Sequence, residues 1–193
     1  MQNKENWYSR TEILLDIAKR ENVVFLKGNH DDMAMVVLQN LFNKKVKLDD
    51  KKLSKLIRQW YENGGEATLK QFLQCTRVER ELALSVLEYA MIYEELEIEG
   101  RQYFLAHTIP EKKIINNFEK CKIEDFLWGE PEYDKVYCSE KIFITGHTPT
   151  GLIDRSHKGK IYKSNNHIAI DCGAAFGLPL GCIRLDDMKE FYV

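Results

Sequence analysis

The sequence predicts an α/β fold, on two observations. Three short apolar runs of the kind found in buried strands each stop at a residue that can bind metal or move a proton: VVFLKGNHDD at 23–32, YFLAHTIP at 103–110 and IFITGHTPT at 142–150. Helical periodicity fills most of the chain between the first two runs, and alternation dominates afterwards. Ligands and catalytic groups collect at the carboxyl ends of strands in α/β sheets. We therefore expect these residues on one rim: Asn29, His30, Asp31, His107 and His147.

The first half of the chain is expected to be mainly helical. Ser9 and Glu12 form a capping-box pattern that predicts a helix over about 10–20, followed by a strand at 22–26. Apolar side chains then recur at helical spacing at Leu53, Leu56, Ile57, Trp60 and Tyr61. The Asn63-Gly64-Gly65 run predicts the end of that helix. Two further helices are expected at Thr68–Cys75 and Arg77–Tyr93.

The second half is expected to be mainly β. EELEIEGRQYFLAH alternates polar and apolar residues around Gly100, which predicts a hairpin of two strands. Later strands are expected at 136–145, 160–163, 167–171 and 180–185, with 190–193 as an edge strand.

Composition restricts the class of protein. A length of 193 residues fits a single domain over 1–193, and a formal net charge of −2 offers no broad basic field for nucleic acid. No apolar run approaches the ~20 residues of a membrane helix, so no membrane partner is expected. The start MQNKENWYSR lacks an apolar signal-peptide core, which favours the cytoplasm. Five cysteines without CxxC spacing are expected to be reduced thiols.

The order of the motifs carries a family resemblance. GNHD, then a strand ending in His, then GHTP resembles the calcineurin-like metallophosphoesterases, in the branch of bacterial Ser/Thr protein phosphatases and diadenosine tetraphosphatases. WYENGGEATL, LWGEPEYD and NNHIAIDCGAAFGLPLGCIRLD belong to the same resemblance. It implies a β-sandwich flanked by helices, with a helical insertion after GNHD. It also implies hydrolysis of a phosphoester or phosphoanhydride, in a phosphorylated protein or a small phosphorylated or nucleotide substrate, by water that divalent metal activates.

The resemblance also assigns roles to residues. Asn29, His107 and His147 would hold one divalent ion, expected to be Mn, with Fe, Zn or Ni as alternatives. Such sites normally hold two ions, and at most one is expected here. His30 would be the general acid, and Asp31 beside it would fix the tautomer of its imidazole. Gly28 and Gly146 are expected to let the backbone turn sharply before the ligands.

Several motifs of the family are not matched. The GDxHG and GDxxDRG motifs, which supply the other metal ligands and a phosphate-binding Arg, have no counterpart, and MQNKENW lies where the second should be. We therefore expect an N-terminally truncated domain without the first βαβ strands. Where the family often has Ala-Gly, this chain has Thr108 and Ile109, and Gly129 and Glu130 stand where a second Arg is common.

Two consequences of these differences are expected. Loss of core strands would leave an exposed sheet edge, through which the chain would associate with itself or with a partner chain. The alternative function is a catalytically impaired remnant or binding subunit, with a half-complete metal site that needs a partner chain.

Other polar residues have ordinary structural interpretations. Asp171 either supports the site through a hydrogen bond or shapes the turn into Gly173, and the turn is favoured. His157 is expected in a loop and His167 at the entry of a strand.

Overall fold

The protein has a mixed α/β fold in a computed structural model that describes residues 10–17, 19–43, 48–115 and 120–193. The chain falls into two compact units. The helical unit comprises the residues up to Phe25 together with Asn29–Ala90, and the sheet unit comprises Leu26–Gly28 and Met91–Val193. The expectation of one domain over 1–193, lacking its first strands, stays a prediction.

The helical unit contains the insertion that follows GNHD. Its helices are α1 (Arg10–Ile17), α2 (Asn29–Leu38), α3 (Asp50–Glu62), α4 (Gly65–Gln74) and α5 (Arg77–Tyr89), and a π-helical turn at Gln39–Asn43 extends α2. Trp60 and Phe72 are buried at its centre with Val37, Leu38 and Leu84. The amphipathic face predicted from Leu53 to Tyr61 therefore packs inward at Trp60, while Tyr61 is 40% exposed.

The ends of these helices follow local side-chain chemistry. Asp49 caps α3 by accepting a bond from the Lys52 amide at 2.9 Å. Gly64, with a φ of 82°, separates α3 from α4, as the glycine pair predicted. The predicted capping box of α1 involves Ser9, which lies outside the described residues.

The sheet unit is built on a mixed five-stranded sheet of order β1-β2-β3-β5-β4. Its strands are β1 (Tyr93–Ile98), β2 (Arg101–Ala106), β3 (Lys141–Thr145), β4 (Tyr162–Ser164) and β5 (His167–Ala169). β2, β3 and β5 run parallel, whereas β1 and β4 are antiparallel to their neighbours. The three parallel strands therefore end on the same edge of the sheet.

Both faces of this sheet are covered. Phe104, Ala106 and Phe143 lie on one face with Ile109 and Phe126, and Tyr103, Ile144 and Ile168 lie on the other. A separate hairpin of β6 (Gly181–Arg184) and β7 (Lys189–Tyr192) packs on the second face through Ile183 and Met188. Short helices connect the strands: α6 (Lys112–Ile115), α7 (Ile123–Leu127) and α8 (Thr150–Ile153), with 3-10 turns at Arg155–His157 and Ala174–Phe176.

The prediction of a strand at 22–26 is wrong. Only Leu26 pairs, through an isolated parallel bridge to Met91, beside which the Lys27 amide donates to the Met91 carbonyl at 2.8 Å. Val23 and Val24 are 39% and 56% exposed. A strand depends on ladder hydrogen bonds, and in the described part of the chain this apolar run has no neighbouring strand to supply them.

Among the other predicted boundaries, two differ from the structure by four residues or more. The helix expected to reach Tyr93 ends at Tyr89, because Tyr93 pairs with Ala106 in the β1–β2 hairpin. The strand expected from 136 begins only at Lys141, opposite Gln102. Tyr137 turns into the core instead, and its hydroxyl accepts a bond from the Glu132 amide at 2.8 Å.

Candidate metal centre

The edge formed by the carboxyl ends of the parallel strands carries the best candidate site of the sheet unit. His107 follows β2 directly, His147 follows β3 after one glycine, and Asp171 follows β5 after Ile170. Because β2, β3 and β5 are parallel, these residues leave the sheet at one edge, as the sequence analysis expected for the two histidines.

The two histidines are in direct contact. His107 Nε2 and His147 Nδ1 are 3.0 Å apart, and the ring planes meet at 69° with centroids 4.8 Å apart. Both side chains are half-buried. Residues 40 positions apart in sequence thus bring two imidazole nitrogens to the same point.

The backbone at His147 holds an unusual conformation. Its φ is +65°, and the Thr148 amide donates to the Gly146 carbonyl at 2.7 Å, which makes a tight three-residue turn with His147 at its centre. The Gly146 amide in turn donates to the His107 carbonyl at 3.0 Å. Non-glycine residues in this region store strain, and such residues cluster at functional sites.

This turn corrects one expectation from the sequence. Gly146 was expected to make the sharp turn, but its φ is not positive and a Cβ built there would have 3.9 Å to its nearest neighbour, the His107 carbonyl oxygen. The turn is made by His147 itself, because the short bond across it fixes the central residue rather than the first one.

The histidine pair fits two adjacent positions around a metal ion. Metal–imidazole bonds of about 2.0–2.1 Å that end on nitrogens 3.0 Å apart subtend roughly 90–100° at the ion. The same separation suits an N–H···N hydrogen bond between two neutral rings. Among the described residues, no three His, Cys, Asp or Glu side chains lie together as a metal-binding group. The sheet unit therefore offers two nitrogen ligands of the predicted set.

The other predicted site residues begin α2 in the helical unit. Asn29 is 4% exposed, and its Oδ1 accepts a bond from the His30 amide at 3.0 Å. His30 is exposed, and Asp31, next to it in the first turn, is half-buried. Neighbouring side chains on a helix diverge by about 100°. The roles of Asn29 as ligand, His30 as acid and Asp31 as its partner stay predictions.

A histidine of β5 is more enclosed than the sequence analysis expected. His167, predicted at a strand entry, is 2% exposed in β5, and its Nε2 is 2.8 Å from the Thr145 hydroxyl at the end of β3. Its Nδ1 finds no hydrogen-bond partner in the described part of the chain. Burial lowers the pKa of His167 to about 4, so its ring is neutral near pH 7.

The end of α7 and the residues after it pack against Thr108 and Ile109, which follow His107. The Thr108 hydroxyl donates to the Gly129 carbonyl at 2.9 Å, and the Thr108 amide donates to the Phe126 carbonyl at 3.2 Å. A Cβ on Gly129 would lie 2.6 Å from the Ile109 carbonyl carbon. Thr108, Ile109 and Gly129 are therefore one packing arrangement, in which Gly129 has no space for a side chain.

Trp128 was not recognised from the sequence as a site residue. It is 45% exposed, and its ring stands edge-on to His147 at 85° with centroids 6.4 Å apart. The signal in the sequence is the LWG segment, whose tryptophan follows the buried pair Phe126 and Leu127 on α7. Asp171 takes the structural role that was favoured, because its Oδ1 accepts from the Gly173 amide at 2.9 Å.

Comparisons with known proteins add no family assignment. No protein-family model matches the chain, and no curated protein matches it. Among the residues that the structure describes, no helix has the length and apolar character needed to cross a membrane.

Proposed function

We propose that this protein is a metal-dependent phosphoesterase of the calcineurin-like type, related to Ser/Thr protein phosphatases and dinucleoside tetraphosphatases. The observation that supports this most is the contact of His107 and His147 at 3.0 Å, at the shared end of two parallel strands. The strained turn at His147 adds to it, because strain at a ligand-bearing loop is typical of a functional site.

His107 and His147 would hold the ion through neutral imidazole nitrogens, and the resemblance adds the Asn29 amide oxygen as a third ligand. These ligand types suit Mn, Fe, Zn or Ni, and Mn is the ion we propose. When bound, a divalent ion lowers the pKa of water toward ~7 and neutralises charge on the phosphoryl oxygens. The ligands must be deprotonated, so protonation of either histidine competes with the metal.

The remaining chemistry belongs to side chains of the chain. His30, exposed at the start of α2, would donate a proton to the leaving oxygen of the substrate. Asp31 would favour the tautomer that carries this proton.

Hydrolysis of p-nitrophenyl phosphate in the presence of Mn²⁺ tests this proposal. His147→Ala should abolish turnover, and His30→Ala should lower kcat by a factor of ~10²–10⁴ if the residue is a general acid. His157→Ala is the matched control, since His157 lies in a 3-10 turn and bonds Asp154 at 3.2 Å. Activity of the parent at the level of a protein-free blank, or equal activity in His147→Ala, would contradict the proposal.

A second candidate is a binding subunit or impaired remnant that needs a partner chain to complete its site. It is favoured by the sequence, in which the GDxHG and GDxxDRG motifs that would supply the other metal ligands have no counterpart. Calorimetric titration distinguishes it from the first candidate. Mn²⁺ or Zn²⁺ binding that depends on His147, without turnover by the parent, supports the binding subunit and contradicts an active phosphoesterase.

A further inference from the structure

A cavity of about 420 Å³ lies on the face of the sheet that carries Phe104 and Phe143. Glu95 of β1 pairs opposite Phe104 of β2, and Phe104 pairs opposite Phe143 of β3. Side chains of directly paired residues project from the same face of a sheet, and Lys141, two positions before Phe143, projects from that face as well. All four line the cavity. Its volume falls within the range of about 300–1,000 Å³ that is usual for small-molecule sites.

This cavity is separate from the histidine pair. Its lining reaches Lys141, the first residue of β3, whereas His147 follows the carboxyl end of that strand. The remaining lining residues are Ile115 at the end of α6, and Tyr137 and Cys138, which precede β3. A ligand in this cavity would therefore occupy a site of its own.

The apolar part of the lining is buried and consists mainly of aromatic rings. The ring centroids of Phe104 and Phe143 are 5.4 Å apart, and those of Tyr137 and Phe143 are 5.5 Å apart. Ile115 adds a buried aliphatic side chain. Aromatic side chains gain from edge-to-face and offset contacts with a further ring. The cavity therefore favours an apolar group, and an aromatic one in particular.

A charged pair forms the exposed part of the lining. Lys141 Nζ is 2.8 Å from Glu95 Oε1, and the two side chains are 28% and 48% exposed. The Lys141 ammonium also lies 5.8 Å from the centroid of the Phe104 ring, so the charges adjoin the aromatic surface. An ion pair exposed to this degree contributes little to stability. A ligand that supplies both opposite charges can therefore separate it at low cost.

The two charges restrict the class of ligand. A ligand with only a carboxylate would meet Lys141 but would be repelled by Glu95 beside it, and a ligand with only an amine would meet the reverse conflict. A zwitterion that carries an ammonium and a carboxylate on one carbon satisfies both side chains. If the same carbon also carries an aromatic group, that group can contact the buried rings. These properties together describe an aromatic α-amino acid.

We propose that this cavity binds a free aromatic α-amino acid. Its carboxylate accepts hydrogen bonds from Lys141, its ammonium donates to Glu95, and its ring packs against the aromatic part of the lining. The site is independent of the proposed phosphoesterase function, since its residues lie outside the metal centre. It is therefore tested on the full chain without metal and without a substrate.

The first test compares three ligands that share a phenyl ring and differ in charge. Isothermal titration calorimetry should detect L-phenylalanine with a Kd on the order of 1 mM, which is ordinary for a ligand of this size. Hydrocinnamate, which lacks the ammonium, and phenethylamine, which lacks the carboxylate, should both bind more weakly. Glycine, which has both charges and no side chain, should not bind detectably.

The second test removes one charge of the pair at a time. Glu95→Gln and Lys141→Met should each weaken L-phenylalanine by roughly 3- to 10-fold, the range suited to partly exposed charges. Glu95→Gln should strengthen hydrocinnamate, because the repelling carboxylate is gone, and Lys141→Met should strengthen phenethylamine. A general loss of folding would weaken every ligand and could not produce this opposite change. Lys163→Met is the matched control, since Lys163 pairs with Glu190 at 2.6 Å and neither residue lines the cavity.

Cys138 reports where the ligand binds. Its half-buried thiol lines the cavity, whereas Cys182 is exposed on β6. Saturating L-phenylalanine should slow the alkylation of Cys138 by iodoacetamide and leave that of Cys182 unchanged, as measured by peptide mass spectrometry. Glycine should protect neither thiol.

The opposite results are equally definite. No heat of binding for L-phenylalanine at several times the expected Kd overturns the proposal. Equal affinity for the three phenyl ligands, or equal weakening of all three in Glu95→Gln, overturns recognition by the charged pair and with it the proposal. Unchanged binding in both variants without protection of Cys138 places the ligand outside this cavity and overturns the proposal as well.

Discussion

The buried side chain of His167 makes the free energy of unfolding depend on pH. Its ring is 2% exposed, and its Nε2 is bonded to the Thr145 hydroxyl, two residues before His147. Burial lowers the pKa of His167 from 6.5 to about 4. Between these two pH values the imidazole is therefore neutral in the folded chain and protonated in the unfolded chain. The unfolded state therefore binds more protons between those values, and the free energy of unfolding must rise with pH across this window.

We expect this single group to lower the free energy of unfolding of the parent by about 2 kcal/mol when the pH falls from 7.5 to 5. Urea unfolding at several pH values measures it. His167→Gln removes the titrating group, so this part of the pH dependence of the free energy of unfolding should be lost. Equal slopes for His167→Gln and the parent would show that the pKa of His167 is not lowered in the folded chain.

Gly65 is required by packing rather than by its backbone angles. A Cβ at this position would lie 2.5 Å from Trp60 Cγ and Cε2, inside the core of the helical unit. Gly64, its neighbour, has open space around it but a φ of 82°. The two glycines of the WYENGG segment therefore have different roles: Gly64 adopts a left-handed backbone conformation and Gly65 leaves space for the Trp60 ring. The sequence pattern predicted only that a helix ends there.

Gly65→Ala should lower the free energy of unfolding by roughly 1–3 kcal/mol through overpacking. Gly64→Ala should cost roughly 1–2 kcal/mol through its left-handed backbone. Trp60→Leu distinguishes the causes: the double variant Trp60→Leu/Gly65→Ala should be more stable than the sum of the single effects predicts, by ~0.5–3 kcal/mol. Additive costs would mean that the Trp60 ring is not the obstacle.

Among the elements, α5 has the most complete N-terminal cap in the described chain. The Thr76 amide donates to Glu79 Oε2 at 2.7 Å, and the Glu79 amide donates to the Thr76 hydroxyl at 3.3 Å. The Thr76 backbone bond lowers the pKa of Glu79. This reciprocal pair satisfies two of the amides that a helix start leaves without partners.

Thr76→Ala should lower the free energy of unfolding by about 1 kcal/mol, because the Glu79 amide loses its acceptor. Thr76→Ser retains the hydroxyl and should lose only a few tenths. Circular dichroism during urea unfolding measures both. If Thr76→Ser were as unstable as Thr76→Ala, the methyl group of Thr76 rather than the cap would carry the effect.

The sequence was sufficient for elements that local chemistry determines. The β1–β2 hairpin was predicted around Gly100, and Glu99 and Gly100 do turn there with φ values of 52° and 73°. The strand at 22–26 failed because its existence depends on a distant neighbour, and among the described residues only Met91 pairs with it. No local pattern records whether such a neighbour is present.

For the candidate site, too, the sequence predicted the local features and missed those that depend on distant contacts. The ends of β2 and β3 follow from apolar runs, so the rim that carries His107 and His147 could be predicted. The buried position of His167 and the placement of Trp128 beside His147 could not, because each depends on strands and loops that meet only after folding. The loss of space at Gly129 likewise follows from its contact with Ile109, 20 residues earlier.

For the whole molecule, the edge strand β1 limits the expected self-association. β1 carries Glu94, Glu95 and Glu97, and Glu95 is paired with Lys141 at 2.8 Å. Two copies joined through β1 edges would bring like charges opposite each other, which destabilises a sheet. Within the prediction that a sheet edge associates, the charge on β1 therefore disfavours pairing between the β1 edges of two copies.

The most direct whole-molecule test of the proposed centre is the effect of metal on thermal unfolding. Both histidines lie in the sheet unit, so an ion that binds only the folded pair stabilises that unit by about 2.7 kcal/mol at a free concentration 100 times its Kd. For a chain of this length that corresponds to a rise in Tm of roughly 5–10 °C. Differential scanning calorimetry with Mn²⁺ or Zn²⁺ should show this rise in the parent, or in the sheet-unit transition if the two units unfold separately. His107→Ala/His147→Ala should show no rise, and an equal rise in the double variant would mean that the ion binds elsewhere.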